Sequence, residues 1–183
     1  MPSVHEIISE LNKYKLDIML IGSEAGKIYK LCDSTKDIDF IVHPSKENTI
    51  KLFSYLQHNF EFNDMFEFNA LEQIVLRNIE NKNIELIKNP FCLSIMFNIQ
   101  NYDTLKQNAK KIKYYDTYTD IISLEDYIDS IKRSIDYPCY RDNPEFNNKM
   151  LKYNTILDNF NRGKYEIIWT NHYWSATIFW CFW

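Results

Sequence analysis

The chain has 183 residues, 45% hydrophobic and 25% charged, with a formal net charge of −4, ordinary for a soluble globular protein of one domain or of one domain with a small helical appendage. A slightly acidic chain offers no global basic field to recruit nucleic acid, although a local basic patch is compatible with it. The four cysteines (Cys32, Cys92, Cys139 and Cys181) are scattered with no Cys-x-x-Cys pair, which argues against a zinc knuckle and against a dense disulfide framework.

The opening residues have no long apolar core and no cleavage-like site, so no signal peptide is expected and the cytoplasm is the default location. Val4, Ile7, Ile8, Leu11 and Tyr14 recur at helical spacing instead and predict a helix over residues 3–15. An apolar strand is expected over 17–22, a short helix over 24–32 and a strand over 38–42. Ser45 caps the next helix, with Ile50, Phe53 and Leu56 as its inner face. Residues 73–78 and 83–88 read as two strands joined by a tight turn at 80–82, and residues 93–98 as a further strand. A helix over 103–111 and a short strand near 113–115 follow.

From there the pattern turns helical. Ser123 and Asp126 form a variant of the capping box, opening a helix whose stripe is Leu124, Tyr127, Ile128, Ile131 and Ile135, closed by Pro138. Asn143-Pro144-Glu145 starts another helix, with a cap, a proline at the first helical position and an acid in the first turn. Its stripe is Phe146, Met150, Tyr153, Leu157 and Phe160. The order α-β-α-β-α-β-β followed by helices predicts an α/β core over residues 1–118 and a helical part over 119–183.

The chemistry concentrates between residues 18 and 42. Gly22-Ser23 ends an apolar strand, and Asp37-Ile38-Asp39 follows fourteen residues after Ser23. Carboxylates two apart on a strand share a face, because side chains alternate with period two. Two such charges repel unless a cation sits between them. Hard Mg²⁺ takes carboxylate oxygens and leaves other positions to water and substrate phosphates. The Gly-Ser turn lets backbone N–H groups approach an anion. Ile84-Glu85-Leu86 adds a third acid between apolar neighbours on an expected strand, where an unpaired charge is costly. Three acids on adjacent strands suit two-metal catalysis of an in-line displacement.

Ile21-Gly22-Ser23, Asp37-Ile38-Asp39 and Ile84-Glu85-Leu86, in this order and at this spacing, resemble the signature of the DNA polymerase β-like nucleotidyltransferase superfamily. Thr35-Lys36-Asp37-Ile38-Asp39-Phe40 looks most like its minimal bacterial branch, which includes antibiotic and toxin–antitoxin nucleotidyltransferases. The resemblance covers residues 15–145. It implies a nucleotidyltransferase fold, a mixed β-sheet flanked by helices with further helices at the C-terminus. It also implies transfer of a nucleoside monophosphate from an NTP such as ATP, with Mg²⁺ or Mn²⁺, onto an acceptor hydroxyl of RNA, protein or a small molecule. Asp37 and Asp39 would hold both metals, Glu85 the acceptor-side metal, and Gly22 and Ser23 the outer phosphates. The helix from Ser123 is similar to one in that branch whose lysine faces the nucleotide phosphates. That leaves Lys132 and Arg133 as nucleotide-binding candidates, with Lys132 favoured. Three departures stand out: Ser23 where Gly is common, Glu85 where Asp is commoner, and a one-residue offset at the lysine helix. The reading from another class is a catalytically degenerate module that binds nucleotide or a protein partner.

Other phosphate and acyl chemistries lack their motifs. There is no Gly-x-x-x-x-Gly-Lys-Ser/Thr loop, no Gly-x-Gly-x-x-Gly after the first strand, no Gly-x-Ser-x-Gly elbow, and position 87 of a would-be nuclease motif is Ile87. His5, His43, His58 and His172 have no metal-ligand spacing. Lys110-Lys111-x-Lys113 reads as a solvated face, with an RNA-contacting patch as the alternative. All four tryptophans (Trp169, Trp174, Trp180 and Trp183) lie in the last seventeen residues. That stretch is too short to span a membrane. It reads as a packed terminal element, an atypical or truncated end, or a contact with a membrane or protein partner.

Overall fold

A computed structural model describes residues 4–33, 37–59, 82–88, 91–97, 102–136 and 144–165. Within them lie six helices, α1 (Val4–Lys13), α2 (Gly22–Ile28), α3 (Lys46–Asn59), α4 (Tyr102–Asn108), α5 (Leu124–Asp136) and α6 (Pro144–Asn161). The six strands are β1 (Ile18–Ile21), β2 (Asp37–Val42), β3 (Lys82–Lys88), β4 (Phe91–Phe97), β5 (Lys110–Tyr114) and β6 (Thr117–Ile121). They form one mixed sheet in the order β3-β4-β2-β1-β6-β5. β1 runs antiparallel to β2 and parallel to β6, β4 runs parallel to β2, and β3 and β5 pair antiparallel at the two edges.

Period-two alternation divides the core. Ile18, Leu20, Ile38, Phe40 and Val42 meet Ile7, Ile8 and Leu11 of α1 and Leu52, Tyr55 and Leu56 of α3 on one face. Met19, Ile21 and Ile41 meet Ala25 of α2, Tyr102 of α4, Tyr127 and Ile131 of α5 and Ile156 of α6 on the other. All four residues of β1 are buried, as expected of a central strand covered on both faces. Asp37 and Asp39 share the parity of Ile41, so they lie on the α2/α5/α6 face.

The helix caps form as expected. The Asn48 N–H donates to Ser45 Oγ at 3.3 Å, the Asp126 N–H to Ser123 Oγ at 3.1 Å, and the Ser123 hydroxyl to Asp126 Oδ2 at 2.7 Å. The inner face of α3 differs from expectation: Ile50 is half exposed, while Asn48, Thr49, Leu52, Tyr55 and Leu56 are buried. Asn48 sets this phase. Its amide accepts from the Asp17 N–H at 2.7 Å and donates to the Asp17 and His43 carbonyls, both at 2.9 Å. These bonds point position 48 inward, and positions 52, 55 and 56 follow one and two turns later.

The expected strand over 73–78 and its turn at 80–82 fall largely outside the described residues; the antiparallel partner of β3 is β4. The helix expected to reach 111 stops at Asn108, and β5 and β6 follow as a hairpin. Its turn, Tyr115-Asp116, carries Tyr115 at φ 55° without the Asn or Gly that would have announced it. β6 spans residue 118, where the sequence suggested the core's end, and pairs with both β1 and β5. Among the described side chains of α6, Ile156 is fully buried, with Tyr153, Leu157 and Phe160 packed against the same core; the side chain of Phe146 lies outside the described residues. The tryptophan-rich tail lies outside the described residues. No described helix is long and apolar enough to cross a membrane.

Candidate active site

Where β1 passes into α2 the chain turns sharply, and Gly22 takes φ +64°. A side chain there would be strained by its backbone alone. It would also collide with Asp39, whose Cγ lies 2.7 Å and Cβ 2.9 Å from the position a Cβ would take. Gly22 is therefore required for the β2 carboxylate to reach the start of α2. No side chain of Ile21, at the N-cap, caps that helix. The Ser23 N–H donates to the Asp39 carboxylate instead, so the acid satisfies one of the helix's unpaired N–H groups from across the sheet. Gly26, one turn on, gives the same close approach to Tyr127: a Cβ would lie 2.9 Å from the ring's Cζ. That locks α5 against α2.

Asp39 is half-buried. Burial first, and then the charge of Asp37, push its pKa above 3.8, while bonds from Ser94 and the Ser23 N–H and the nearby Lys152 pull the other way. A carboxylate held next to its like, with its proton favoured by desolvation, is a site in need of positive charge. Register extends the row: Asp39 stands opposite Ser94 on β4, and Ser94 opposite Glu85 on β3. All three expected acids, Asp37, Asp39 and Glu85, thus lie in one sheet, but not on adjacent strands as the sequence suggested: β4 runs between the β2 pair and Glu85 on β3. Among the described residues no group of three or more His, Cys, Asp and Glu side chains is arranged to hold a metal ion. Asp37 and Asp39 supply two hard oxygen donors suited to a divalent cation, and Glu85 is placed by register.

Asp37 and Asp39 line a cleft of about 710 Å³. Its apolar walls are Ile21, Ile41, Met96, Tyr127, Ile131, Tyr153 and Ile156; its polar ones include Gly22, Ser23, Asp37, Asp39, Ser94, Ser130 and Ser134. Three cations also line it, Arg133 from α5 and Lys149 and Lys152 from α6, and Lys152 is near enough to Asp39 to lower its pKa. Lys152 is the best placed, its Nζ donating to Ser23 Oγ at 2.6 Å.

The two cations expected on α5 separate. Arg133 lines the cleft. Lys132, the favoured candidate, is not part of the lining and sits 3.5 Å from Asp129 Oδ1, both side chains more than half exposed. About 100° of helical rotation per residue turns neighbours apart, and the buried stripe Leu124, Tyr127, Ile128 and Ile131 sends Lys132 to solvent. Lys149, Lys152 and Ser94 were missed in the sequence. The one sign of Lys152 is its place beside Tyr153 on the apolar stripe of α6, and helical lysines next to a stripe usually remain solvated.

No protein-family model matches the sequence, and no curated protein matches it. In structure the chain is similar to a "putative nucleotidyltransferase" of Thermotoga maritima, at a TM-score of 0.50 and 12% identity, over 87% of this chain and 91% of that one. An α/β fold of the nucleotidyltransferase type, with a mixed sheet flanked by helices, is thereby established.

Proposed function

We propose that the chain is a metal-dependent nucleotidyltransferase, moving a nucleoside monophosphate from an NTP to an acceptor hydroxyl. The observation that carries this reading is the meeting of Asp37 and Asp39 with the Gly22-Ser23 turn in one cleft that three cations also line, on a fold of this type. Asp37 and Asp39, with Glu85 in register, would hold Mg²⁺ or Mn²⁺, which when bound neutralises charge on the reacting phosphates. Arg133, Lys149 and Lys152 line the cleft where a triphosphate's outer charges need partners. Lys152 and Ser23 line the cleft beside Asp39, and an incoming phosphate oxygen would exchange the Lys152–Ser23 bond for contacts to itself. The walls of Tyr127, Tyr153 and Ile156 exclude water and offer a surface for a base. The acceptor oxygen attacks the α-phosphorus and the bond to the bridging oxygen breaks. Pyrophosphate leaves, and Glu85 is the candidate to take the acceptor's proton.

A non-catalytic nucleotide-binding module is the second reading. It is favoured by one observation: the Ser23 N–H and hydroxyl are already engaged by Asp39 and Lys152. Incubation with each NTP labelled at the α-phosphate, Mg²⁺ and cell lysate separates the two. Label should enter RNA, protein or a small molecule, and should not do so with Asp37→Asn or Asp39→Asn. Metal-independent NTP binding with no label transferred favours the module.

A further inference from the structure

β5 is an edge strand, bonded only to β6 among the described residues. Lys110, Lys111 and Lys113 on it are all exposed, and no ion pair among the described residues involves them. Lysines on an edge strand discourage pairing with another chain, which by itself accounts for their presence. Two further features are left over. Register sets Lys113 opposite Tyr118 and Lys111 opposite Asp120, so these four share one face of the hairpin. Asp120 is occupied by Lys106 at 2.6 Å, which leaves the two lysines and the tyrosine to define that face. Tyr118 is 56% exposed, and Tyr115, at the turn, 69%. Tyr115 keeps that exposure at φ 55°, a conformation costing a side-chain-bearing residue about 1 kcal/mol. The Tyr115 ring meets those of His5 and Tyr114 at centroid distances of 4.8 and 5.0 Å while keeping its outer side open, and edge protection does not require the Tyr118 ring.

Beside the hairpin lies a groove of about 580 Å³ lined by Lys106, Asn108, Lys110, Lys111, Ser123 and Glu125, among others. It shares the helices α4 and α5 with the cleft. Leu105 and Asp126 line the cleft, and their chain neighbours Lys106 and Glu125 line the groove.

We propose that the β5–β6 hairpin and its groove bind single-stranded nucleic acid, with Lys111 and Lys113 of that face, and Lys110, which alternates to the other face but lines the groove, on the phosphates and Tyr115 and Tyr118 against the bases. Exposed rings beside a lysine track suit unstacked bases, whose faces a duplex keeps to itself. With the chain at −4 overall, attraction to phosphate must come from this local patch and not from a global field. Binding of this kind goes beyond the transfer reading and is measured without NTP or metal.

The test is fluorescence anisotropy of the full chain with a 5′-labelled, uridine-rich RNA of about 16 nucleotides, the upper site size of a small single-strand module. Titrations are run at several salt concentrations. The triple variant Lys110→Gln/Lys111→Gln/Lys113→Gln should lower the slope of log K against log salt by about 2, three phosphate contacts at about 0.7 each. Tyr118→Ala, a second variant that alters no charge, should weaken binding about tenfold with the slope unchanged. A duplex of equal length should bind more weakly than the single strand. Wild-type affinity and slope in the triple variant would overturn the proposal, as would unchanged affinity in Tyr118→Ala. So would a wild type that binds no oligonucleotide while the triple variant dimerises on a sizing column, since the lysines would then be edge guards alone.

Discussion

Gly22→Ala tests the geometry on which the site is built. Alanine at φ +64° costs about 1–2 kcal/mol from the left-handed backbone. Its Cβ would lie 2.7 Å from Asp39 Cγ and 2.9 Å from Asp39 Cβ, an overlap worth roughly 1–3 kcal/mol in a packed site. The sum, about 2–5 kcal/mol, is a large share of the 5–15 kcal/mol that usually holds a domain folded. At about 2–4 °C per kcal/mol for a chain of this size it lowers Tm by roughly 4–20 °C. Urea unfolding of the metal-free protein measures it, and a double-mutant cycle divides it. In an Asp39→Gly background the overlap is gone and only the strain remains. Gly22→Ala should then cost about 1–2 kcal/mol, giving a coupling of about 1–3 kcal/mol between the positions. Equal costs in both backgrounds would mean that Gly22 and Asp39 do not meet, and the account of how β2 is joined to the turn would fall.

Three further outcomes follow from individual groups. The pKa of Asp39 is raised above 3.8, so charging it removes stability as pH rises through its folded value; Asp39→Asn should melt at or above wild type at neutral pH without metal and lose any rise in Tm on adding Mg²⁺. Lys152→Met and Arg133→Ala should each weaken NTP binding about tenfold, measured by calorimetry, and Lys132→Ala should leave it unchanged, because Lys132 is outside the cleft lining. Lys106 holds Asp17 and Asp120 at 2.6 Å each. Burial pushes Asp17 up, but bonds from Lys106 and Tyr102 outweigh it and set its pKa below 3.8. That stability is present above 3.8 and lost as pH falls through the folded value. Lys106→Met should cost about 1 kcal/mol at neutral pH, discounted for solvent exposure, and the gap should close in acid.

How much was legible in the sequence depended on how locally each feature is encoded. Gly22 and Ser23 open α2 directly after β1, Asp37 and Asp39 sit on the adjacent β2, and period-two alternation alone puts both acids on one face. The buried side of α5 was equally clear, because Ser123 and Asp126 fix its start and its apolar residues keep one phase. The face of α3 was not, since the polar Asn48 turns inward to serve Asp17 and His43, and a hydrophobic count passes over it. β6 escaped because a turn of Tyr115 and Asp116 has no Asn-Gly signature. Lys152 escaped for a longer-range reason. It reaches Ser23 across 129 positions of chain, and only the packing of Tyr153 and Ile156 against the sheet brings it there.

The central claim, transfer of a nucleoside monophosphate, is tested most directly by where a radiolabel travels. With Mg²⁺ and a lysate fraction containing the acceptor, α-labelled NTP should leave its label on the acceptor and γ-labelled NTP should release it as pyrophosphate. Pyrophosphate and modified acceptor should form one for one, and neither should form with Asp39→Asn. Label from the γ-phosphate on the acceptor, free orthophosphate as the product, or full transfer by Asp39→Asn would contradict the claim.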